Sequence, residues 1–143
     1  MAESRVWVFF YGSYMNPDVL KALNVRPERW EVAKLDGFDI VIQRLANLER
    51  SDRHCVYGIV AAVTHTELDV LYAHAKGVLG GMYLPEAVFV ETLSGSCKPA
   101  LCYLALSLEP GPPENDYVER ILKPAREYNF PEWYIERLES FRP

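Results

Sequence analysis

The strongest constraint on this chain is a short junction near its start, where an apolar strand pattern runs into a helix start. Val6 to Tyr11 is rich in Val and aromatic residues, and Gly12-Ser13 follows it directly. Asn16-Pro17-Asp18 then predicts a helix, because Asn caps the first amides, proline loses nothing at the first helical position, and Asp suits the positive end of the helix dipole. Such a junction gathers backbone N–H groups in one concavity and favours an anion there, although the same residues are typical of an ordinary strand-to-helix connection.

Size and charge place the chain among globular proteins. With 143 residues, 50% of them hydrophobic, it is expected to form a single domain spanning residues 1–143. The balance of 15 basic and 20 acidic residues gives a net charge of −5, and no basic stripe is present, so nucleic acid is not expected as a partner. There is no signal-peptide pattern and no apolar run of about 18 residues, so we expect a cytoplasmic protein without a membrane partner.

The cysteines and histidines do not predict a metal site. Cys55, Cys97 and Cys102 form an odd set without a C-x-x-C spacing, and small buried thiols are the expected explanation. The three histidines share no metal-ligand spacing with them. We therefore expect neither a metal nor another cofactor.

Strand-like and helix-like segments follow one another without strict alternation. This pattern predicts an α+β protein whose mixed or antiparallel sheet curls into a small β-barrel flanked by helices. Thr64-x-x-Glu67 is a capping box that opens a helix, residues 93–98 are typical of a hairpin connection, and Pro124 is expected to kink or end a later helix. The expected strands are residues 6–11, 37–43, 55–63, 82–92 and 99–106, and the expected helices follow Pro17, Thr64, Asn115 and Pro131.

Four short motifs, in order along the chain, resemble the gamma-glutamylcyclotransferase-like (AIG2-like) superfamily. The first is similar to that family's Tyr-Gly-Ser-Asn signature, and the second to its aromatic-Gly-hydrophobic strand. The resemblance covers nearly the whole chain and implies a small closed barrel flanked by helices, with one cavity. The motifs are Phe10-Tyr11-Gly12-Ser13-x-Met15-Asn16-Pro17, Val56-Tyr57-Gly58-Ile59-Val60, Gly77-Val78-x-x-Gly81-Met82-Tyr83, and a C-terminal set of Pro112-Pro113, Tyr117, Ile121 and Phe130-Pro131-x-x-Tyr134.

The resemblance also implies a reaction. In active family members the Tyr-Gly-Ser loop holds the α-carboxylate and amine end of a γ-glutamyl group. A glutamate serves as general base and acid while the substrate's own amine attacks the γ-carbonyl, releasing 5-oxoproline and an amine. The expected partner is therefore a small molecule, anionic or γ-glutamyl-like. If the cavity is active, we expect the backbone of Gly12 and Ser13 to bind the anion and Lys76 to be the charged group. The side chains expected to line the cavity are Tyr11, Tyr14, Tyr83 and Tyr134.

Two positions depart from the family pattern. Tyr14 stands where the signature has Asn, and Lys76 precedes Gly77 where the catalytic glutamate is expected. The helix is also one residue longer than usual, which makes Ala75 the other option for that position. A protonated lysine cannot accept a proton at neutral pH unless its pKa is lowered by several units. Lys76 is therefore expected either to act in a changed catalytic site or to reach solvent at the end of its helix.

Glu86 is the nearest carboxylate that could replace the missing base, and it stands with Lys76 as a candidate catalytic residue. A regular strand would place Glu86 and Tyr83 on opposite faces, but Pro85 between them could introduce a bulge. Ser13 as a hydrolytic nucleophile is a further option, although no Gly-x-Ser-x-Gly elbow surrounds it.

Three functions stay open at this point. The first is a cyclotransferase of lyase or acyltransferase type with an atypical site, which predicts 5-oxoproline release. The second is a different reaction on an anionic or aromatic small molecule, served by Lys76 and Tyr14, which predicts a Lys76 with a perturbed pKa. The third is a non-catalytic ligand-binding protein. A homodimer is compatible with each of them.

Overall fold

Strands and short helices make up most of the chain. The computed structural model describes residues 3–77, 82–106, 108 and 110–143. Val78 to Gly81, which belong to the third sequence motif, lie outside the described residues. A 3-10 turn at Ser13–Met15 links the first strand to the first helix. The strands are β1 (Arg5–Phe10), β2 (Glu28–Ile42), β3 (Ala46–Thr64), β4 (Tyr83–Thr92) and β5 (Cys97–Ala105), and the helices are α1 (Pro17–Ala22), α2 (His65–Gly77), α3 (Tyr117–Glu127) and α4 (Glu132–Glu139).

The strands close into a barrel in the order β1-β3-β2-β4-β5. Neighbouring strands are antiparallel, except that β1 and β5 run parallel. Phe9 of β1 lies opposite Val60 of β3 and Cys102 of β5, so β1 is hydrogen-bonded on both sides. The predicted α+β fold, a small mixed barrel flanked by helices, is confirmed.

Gly58 of β3 allows β1 to approach closely. A Cβ placed on Gly58 would lie 2.3 Å from the carbonyl oxygen of Phe10 and 2.7 Å from Cζ of Phe9. The Phe9 ring therefore occupies the space that a side chain at residue 58 would need. This glycine sets how deeply β1, and the loop that follows it, lie against β3.

Helix α2 begins with the capping box that the sequence predicts. The Glu67 amide donates to Oγ1 of Thr64 at 3.1 Å, and the Thr64 amide donates to Oε1 of Glu67 at 2.9 Å. The Glu67 carboxylate also accepts a 2.6 Å hydrogen bond from the Arg26 amide and lies 3.4 Å from the guanidinium of Arg5. Because the start of α2 is fixed in this way, the direction in which each later residue points is fixed as well.

Strands β2 and β3 are much longer than expected. The sequence predicts strands at 37–43 and 55–63, whereas residues 46–54 continue β3 and pair with the second half of β2. Most side chains of residues 49–54 are exposed and polar. The apolar alternation that reveals a strand is therefore missing there.

The later elements agree with expectation more closely. The connection between β4 and β5 is the hairpin predicted at residues 93–98, with Gly95 in the left-handed region at φ 90°. Pro124 lies inside α3, which continues to Glu127, so this proline does not end the helix. Of the helices in the described ranges, none combines the length and apolarity that crossing a bilayer requires.

Candidate active site

A cavity opens where the end of β1 meets α2 and α3. It has a volume of about 80 Å³ and an aromatic lining of two phenylalanines and six tyrosines. Its other walls come from the loop after β1, the first residue of β3 and the inner face of α2. The aromatic residues are Phe9, Phe10, Tyr11, Tyr14, Tyr72, Tyr83, Tyr103 and Tyr117, and the remaining lining residues are Gly12, Ser13, Ala46, Leu71 and Ala75.

Besides the Tyr14 hydroxyl, which contacts the carbonyl oxygen of Leu71, three tyrosine hydroxyls are hydrogen-bonded to the backbone around this cavity. The Tyr83 hydroxyl donates to the carbonyl of Ala46 at 2.6 Å, and the amide of Ala46 donates to the Tyr117 hydroxyl at 2.9 Å. The Tyr11 hydroxyl donates to the carbonyl of Tyr103 at 2.6 Å. These bonds hold the rings in position, so the aromatic wall is formed before a ligand arrives.

Burial keeps the cavity hydroxyls protonated. It raises the pKa values of Tyr11, Tyr14 and Tyr83 well above that of an exposed tyrosine. Burial also raises the pKa of Tyr117 to about 12, against the opposing effects of its backbone hydrogen bond and of Arg120. At neutral pH these tyrosines present neutral donors and acceptors to the cavity.

Tyr14 turns from the loop towards α2. Its hydroxyl lies 2.8 Å from Nδ1 of His74 and 3.3 Å from the carbonyl oxygen of Leu71. The centroids of the Tyr14 and His74 rings are 5.8 Å apart, and Phe10 meets the Tyr14 ring nearly edge-on at 6.2 Å. Tyr14 thus connects the cavity lining to an imidazole that lies half-buried behind it.

The combination of a mixed five-stranded barrel with this loop and cavity agrees with a known family. The model of the AIG2-like family matches residues 55–138, which is more than half of the chain. This chain belongs to the AIG2-like family. It is also 26% identical over 147 residues to a gamma-glutamylcyclotransferase of Bos taurus, an alignment that covers 94% of this chain and 78% of the relative.

Solved structures resemble this AIG2-like chain over nearly its whole length. A gamma-glutamyl cyclotransferase superposes with a TM-score of 0.82 at 25% identity, covering 97% of this chain and 89% of the other. An uncharacterized Homo sapiens protein superposes with a TM-score of 0.83 at 26% identity, covering 99% and 90%. The resemblance drawn from the four sequence motifs is confirmed at the level of the family and the fold.

The structure brings five of the six expected substrate-binding residues of this AIG2-like protein to one place. Tyr11, Gly12, Ser13, Tyr14 and Tyr83 all line the cavity, and their roles in binding stay predictions. Tyr134 does not join them. It is buried on α4, where its ring packs against Tyr57 of β3 and against Phe130 and Trp133.

Helix α2 presents Ala75, and not Lys76, to the cavity. Ala75 is buried and lies about one helical turn after Leu71, which also lines the cavity. Lys76 is exposed, because a step of one residue rotates a side chain by about 100° around the helix axis. The expectation that Lys76 supplies the charged group of the cavity is corrected: its side chain reaches solvent at the helix end.

Glu86 also lies apart from the cavity lining. It faces Cys102 of β5 and forms an ion pair with Arg50. The pairing of β4 with β5 is continuous through Pro85, so no bulge turns Glu86 to the face of Tyr83. In the part of the chain that the structure describes, no three His, Cys, Asp or Glu side chains are arranged to hold a metal ion.

His74 is the residue at this site that sequence reasoning sets aside, because a lone histidine on a helix is more often a surface or packing residue. No local motif singles it out, since its partner Tyr14 lies 60 residues away. The available signal was its helical spacing: His74 is about one turn after Leu71, and both residues contact the Tyr14 hydroxyl.

Proposed function

We propose that this chain is a cyclotransferase-type enzyme that cleaves a small γ-glutamyl amide, or a related amide, by intramolecular attack and releases 5-oxoproline and an amine. The observation that carries the proposal is the position of Tyr11, Gly12 and Ser13 in the cavity wall, at the end of β1. The barrel around them superposes on a gamma-glutamyl cyclotransferase over 97% of this chain. The family resemblance assigns this loop to the carboxylate and amine end of the substrate.

The rest of the cavity supports such a reaction. Cyclisation requires that the substrate be held with its amine against its own γ-carbonyl, and a rigid lining lowers the entropy cost of that arrangement. The Tyr117 hydroxyl accepts a hydrogen bond from Ala46, which leaves its own hydrogen available to a ligand oxygen. We assign Tyr117 as a donor to the oxyanion that develops on the γ-carbonyl.

The α2 side of the cavity indicates which leaving group fits. Leu71, Tyr72 and Ala75 line it, and Tyr103 packs on Tyr72 with ring centroids 5.6 Å apart. This surface suits an alkyl or aromatic amine, because burying the charged end of an amino acid without a partner is costly. The proposed substrate class is therefore the γ-glutamyl amines.

One observation favours a second function, non-catalytic ligand binding. Ala75 stands on the cavity face of α2 where a catalytic carboxylate would be expected, and none of the lining residues in the described ranges is acidic. The second reading predicts that a γ-glutamyl amide binds without being cleaved. A reaction that uses Lys76 as the cavity cation has no support from its exposed position.

The deciding experiment measures 5-oxoproline release by the wild-type chain from γ-glutamyl amides with alkyl, aromatic or amino-acid leaving groups. We expect turnover, with a higher kcat/KM for alkyl and aromatic amines than for amino acids. Tyr117→Phe should lower kcat by about 10- to 1000-fold through loss of the oxyanion donor. Tyr128→Phe is the matched control, since its hydroxyl contacts Trp30 and not the cavity, and it should keep the wild-type rate.

Two results would contradict the proposal. Binding of the γ-glutamyl amides, measured calorimetrically, without any product would support the ligand-binding function instead. Neither binding nor product across the panel would mean that the ligand class is different, and both functions would be abandoned.

A further inference from the structure

We propose that Tyr14 and His74 form the proton relay of this site, with Tyr14 as the catalytic residue that touches the substrate and His74 acting through it. The inference rests on the proposed cyclisation and names the group that takes the proton. Its basis is the juxtaposition of the hydroxyl of a cavity-lining tyrosine and an imidazole nitrogen 2.8 Å away.

Two different elements bring the pair together. Tyr14 lies in the 3-10 turn after β1, and His74 lies near the end of α2. Tyr14 lines the cavity, whereas His74 is half-buried and is not among the lining residues. A ligand in the cavity would therefore meet the hydroxyl first and the imidazole only through it.

One departure from the family pattern, Tyr14, makes this contact next to the stretch of α2 where the resemblance implies a catalytic carboxylate. The residue that α2 presents to the cavity there is Ala75. The loop has gained a long side chain at residue 14, in place of the signature's Asn, and that side chain reaches the residue directly before Ala75. The Tyr14 hydroxyl thus lies against the same stretch of α2 in which the base would otherwise stand.

The chemistry of the pair suits proton transfer near neutral pH. Burial raises the pKa of Tyr14, so the phenol does not ionise on its own. A neutral imidazole is a competent base near neutral pH, and it can take the phenol proton as the substrate proton arrives. One contact serves both states: the hydroxyl donates to Nδ1 before transfer, and Nδ1–H donates to the oxygen afterwards.

Each step balances. First, the lone pair of the neutral α-amine forms the bond to the γ-carbonyl carbon, and the carbonyl π pair moves onto oxygen. The amine proton passes to Oη of Tyr14 while the Tyr14 proton passes to Nδ1 of His74. Then the oxyanion re-forms the carbonyl, the bond to the leaving nitrogen breaks, and that nitrogen takes a proton from Oη as Nδ1 returns its own. 5-Oxoproline and the amine leave, and no water or redox partner is consumed.

The groups facing the pair are tyrosines. Tyr117 and Tyr83 interact with Tyr14 across the cavity, and burial raises the pKa values of both. Within the described residues, neither Tyr14 nor His74 has a side-chain carboxylate or cation in hydrogen-bond or ion-pair contact. The relay requires a free lone pair on Nδ1 of His74, because that nitrogen accepts the phenol proton.

The test compares kcat and KM for 5-oxoproline release over a range of pH in wild type, Tyr14→Phe, His74→Gln and the double variant. We expect each single variant to lower kcat by about 100- to 10,000-fold, which is the usual contribution of general acid–base catalysis. The double variant should be no slower than the worse single one, because the two residues act as a unit. His54→Gln, an exposed histidine paired with Ser51, is the matched control and should keep the wild-type rate.

Two readouts separate a relay from a merely structural contact. In wild type, kcat should fall as the pH is lowered, and this acid limb of the pH profile should be absent from the residual activity of His74→Gln. Adding Ala75→Glu to Tyr14→Phe should restore at least part of the lost kcat, whereas adding Lys76→Glu should not, because only residue 75 faces the cavity. If Tyr14→Phe fails to fold, His74→Gln and its pH profile decide the question alone.

The outcomes distinguish the relay from the function on which it rests. If wild type releases 5-oxoproline while Tyr14→Phe and His74→Gln keep its rate and its acid limb, the relay is overturned and the proposed function stands. If wild type is inactive with every substrate and Ala75→Glu alone is active, the cavity binds the substrate class without a working base, and both are overturned.

Discussion

The two sides of the cavity differ in what determines their structure. The loop side, residues 11–14, is set by a strand end, a glycine and a helix cap that lie within a dozen residues of one another. The helix side, formed by Leu71, Tyr72 and Ala75, depends on the rotation of α2 about its own axis. A shift of one residue there would exchange a buried alanine for an exposed lysine. The loop side is consequently the part that the sequence reveals, and the helix side is the part that only the structure decides.

The loop side is nevertheless held in place by β3, a strand distant in the sequence. Gly58→Ala should disrupt this packing and have the largest effect on stability of the substitutions proposed. The new Cβ would meet the carbonyl oxygen of Phe10 at 2.3 Å, a backbone atom that cannot move without moving β1. We expect the free energy of unfolding to fall by about 3 kcal/mol or more. Urea denaturation followed by circular dichroism measures the loss.

Gly77→Ala is the control for that experiment on the helix side. A Cβ at residue 77, the last residue of α2, would have no atom of the described residues within 4 Å, and glycine loses more conformational entropy on folding than alanine. The free energy of unfolding should stay unchanged or rise. Equal effects of the two substitutions would mean that Gly58 is not the anchor of the loop side.

Local patterns explain why the fold and the loop could be predicted. Asn16 accepts from the Asp18 amide at 3.0 Å as expected of an N-cap, and the Thr64–Glu67 box forms reciprocally. Each involves residues at most three positions apart, so the necessary information lies in one short stretch of sequence. The outer part of the β2–β3 hairpin lacks such a signal, because its exposed polar residues do not alternate with apolar ones.

Features that depend on distant packing could not be predicted. Tyr134 belongs to the apolar face that predicts burial of α4. The sequence does not show which side of the barrel α4 covers, because that depends on the contact between Tyr134 and Tyr57 of β3. The pairing of Tyr14 with His74 likewise joins positions 60 residues apart. The sequence predicts the length of α2 only to within one residue. An error of one residue is enough to turn a side chain from the cavity to solvent, so the exposure of Lys76 could not be predicted.

Ala75→Glu and Lys76→Glu test the rotation of α2 directly. A carboxylate at residue 75 would be buried in the cavity lining, and we expect it to lower the free energy of unfolding at pH 7 by roughly 1–3 kcal/mol. At exposed residue 76 the same change should cost less than about 1 kcal/mol, mainly through the helix dipole.

The pH dependence of these two variants sharpens the contrast. Burial should raise the pKa of a glutamate at residue 75, so the folded state would bind a proton over a pH range in which the unfolded state has lost it. The stability cost of Ala75→Glu should therefore shrink as the pH falls below the raised pKa, and Lys76→Glu should show no such recovery. Similar unfolding curves for both variants from pH 5 to pH 8 would contradict the assigned rotation.

Glu67→Gln is expected to have a small effect, although it acts on the residue that fixes the start of the helix side. Burial disfavours the charge of Glu67, but hydrogen bonds from Thr64 and Arg26 and the charge of Arg5 outweigh it and hold the pKa below the ordinary 4.5. The carboxylate therefore contributes stability that is complete above that ordinary value and is lost as the pH falls through the lowered pKa. We expect Glu67→Gln to reduce the free energy of unfolding by about 1 kcal/mol at pH 7.

The loss caused by Glu67→Gln should diminish in acid, because a protonated glutamate and a glutamine offer the Thr64 and Arg26 amides a similar neutral acceptor. Glu136→Gln, an exposed carboxylate on α4, is the control and should change stability by less than about 0.5 kcal/mol at either pH. Denaturation at pH 7 and pH 3 measures both variants. A Glu67→Gln loss that stays the same at pH 7 and pH 3 would contradict the assignment of this stability to the charge of Glu67 at the start of α2.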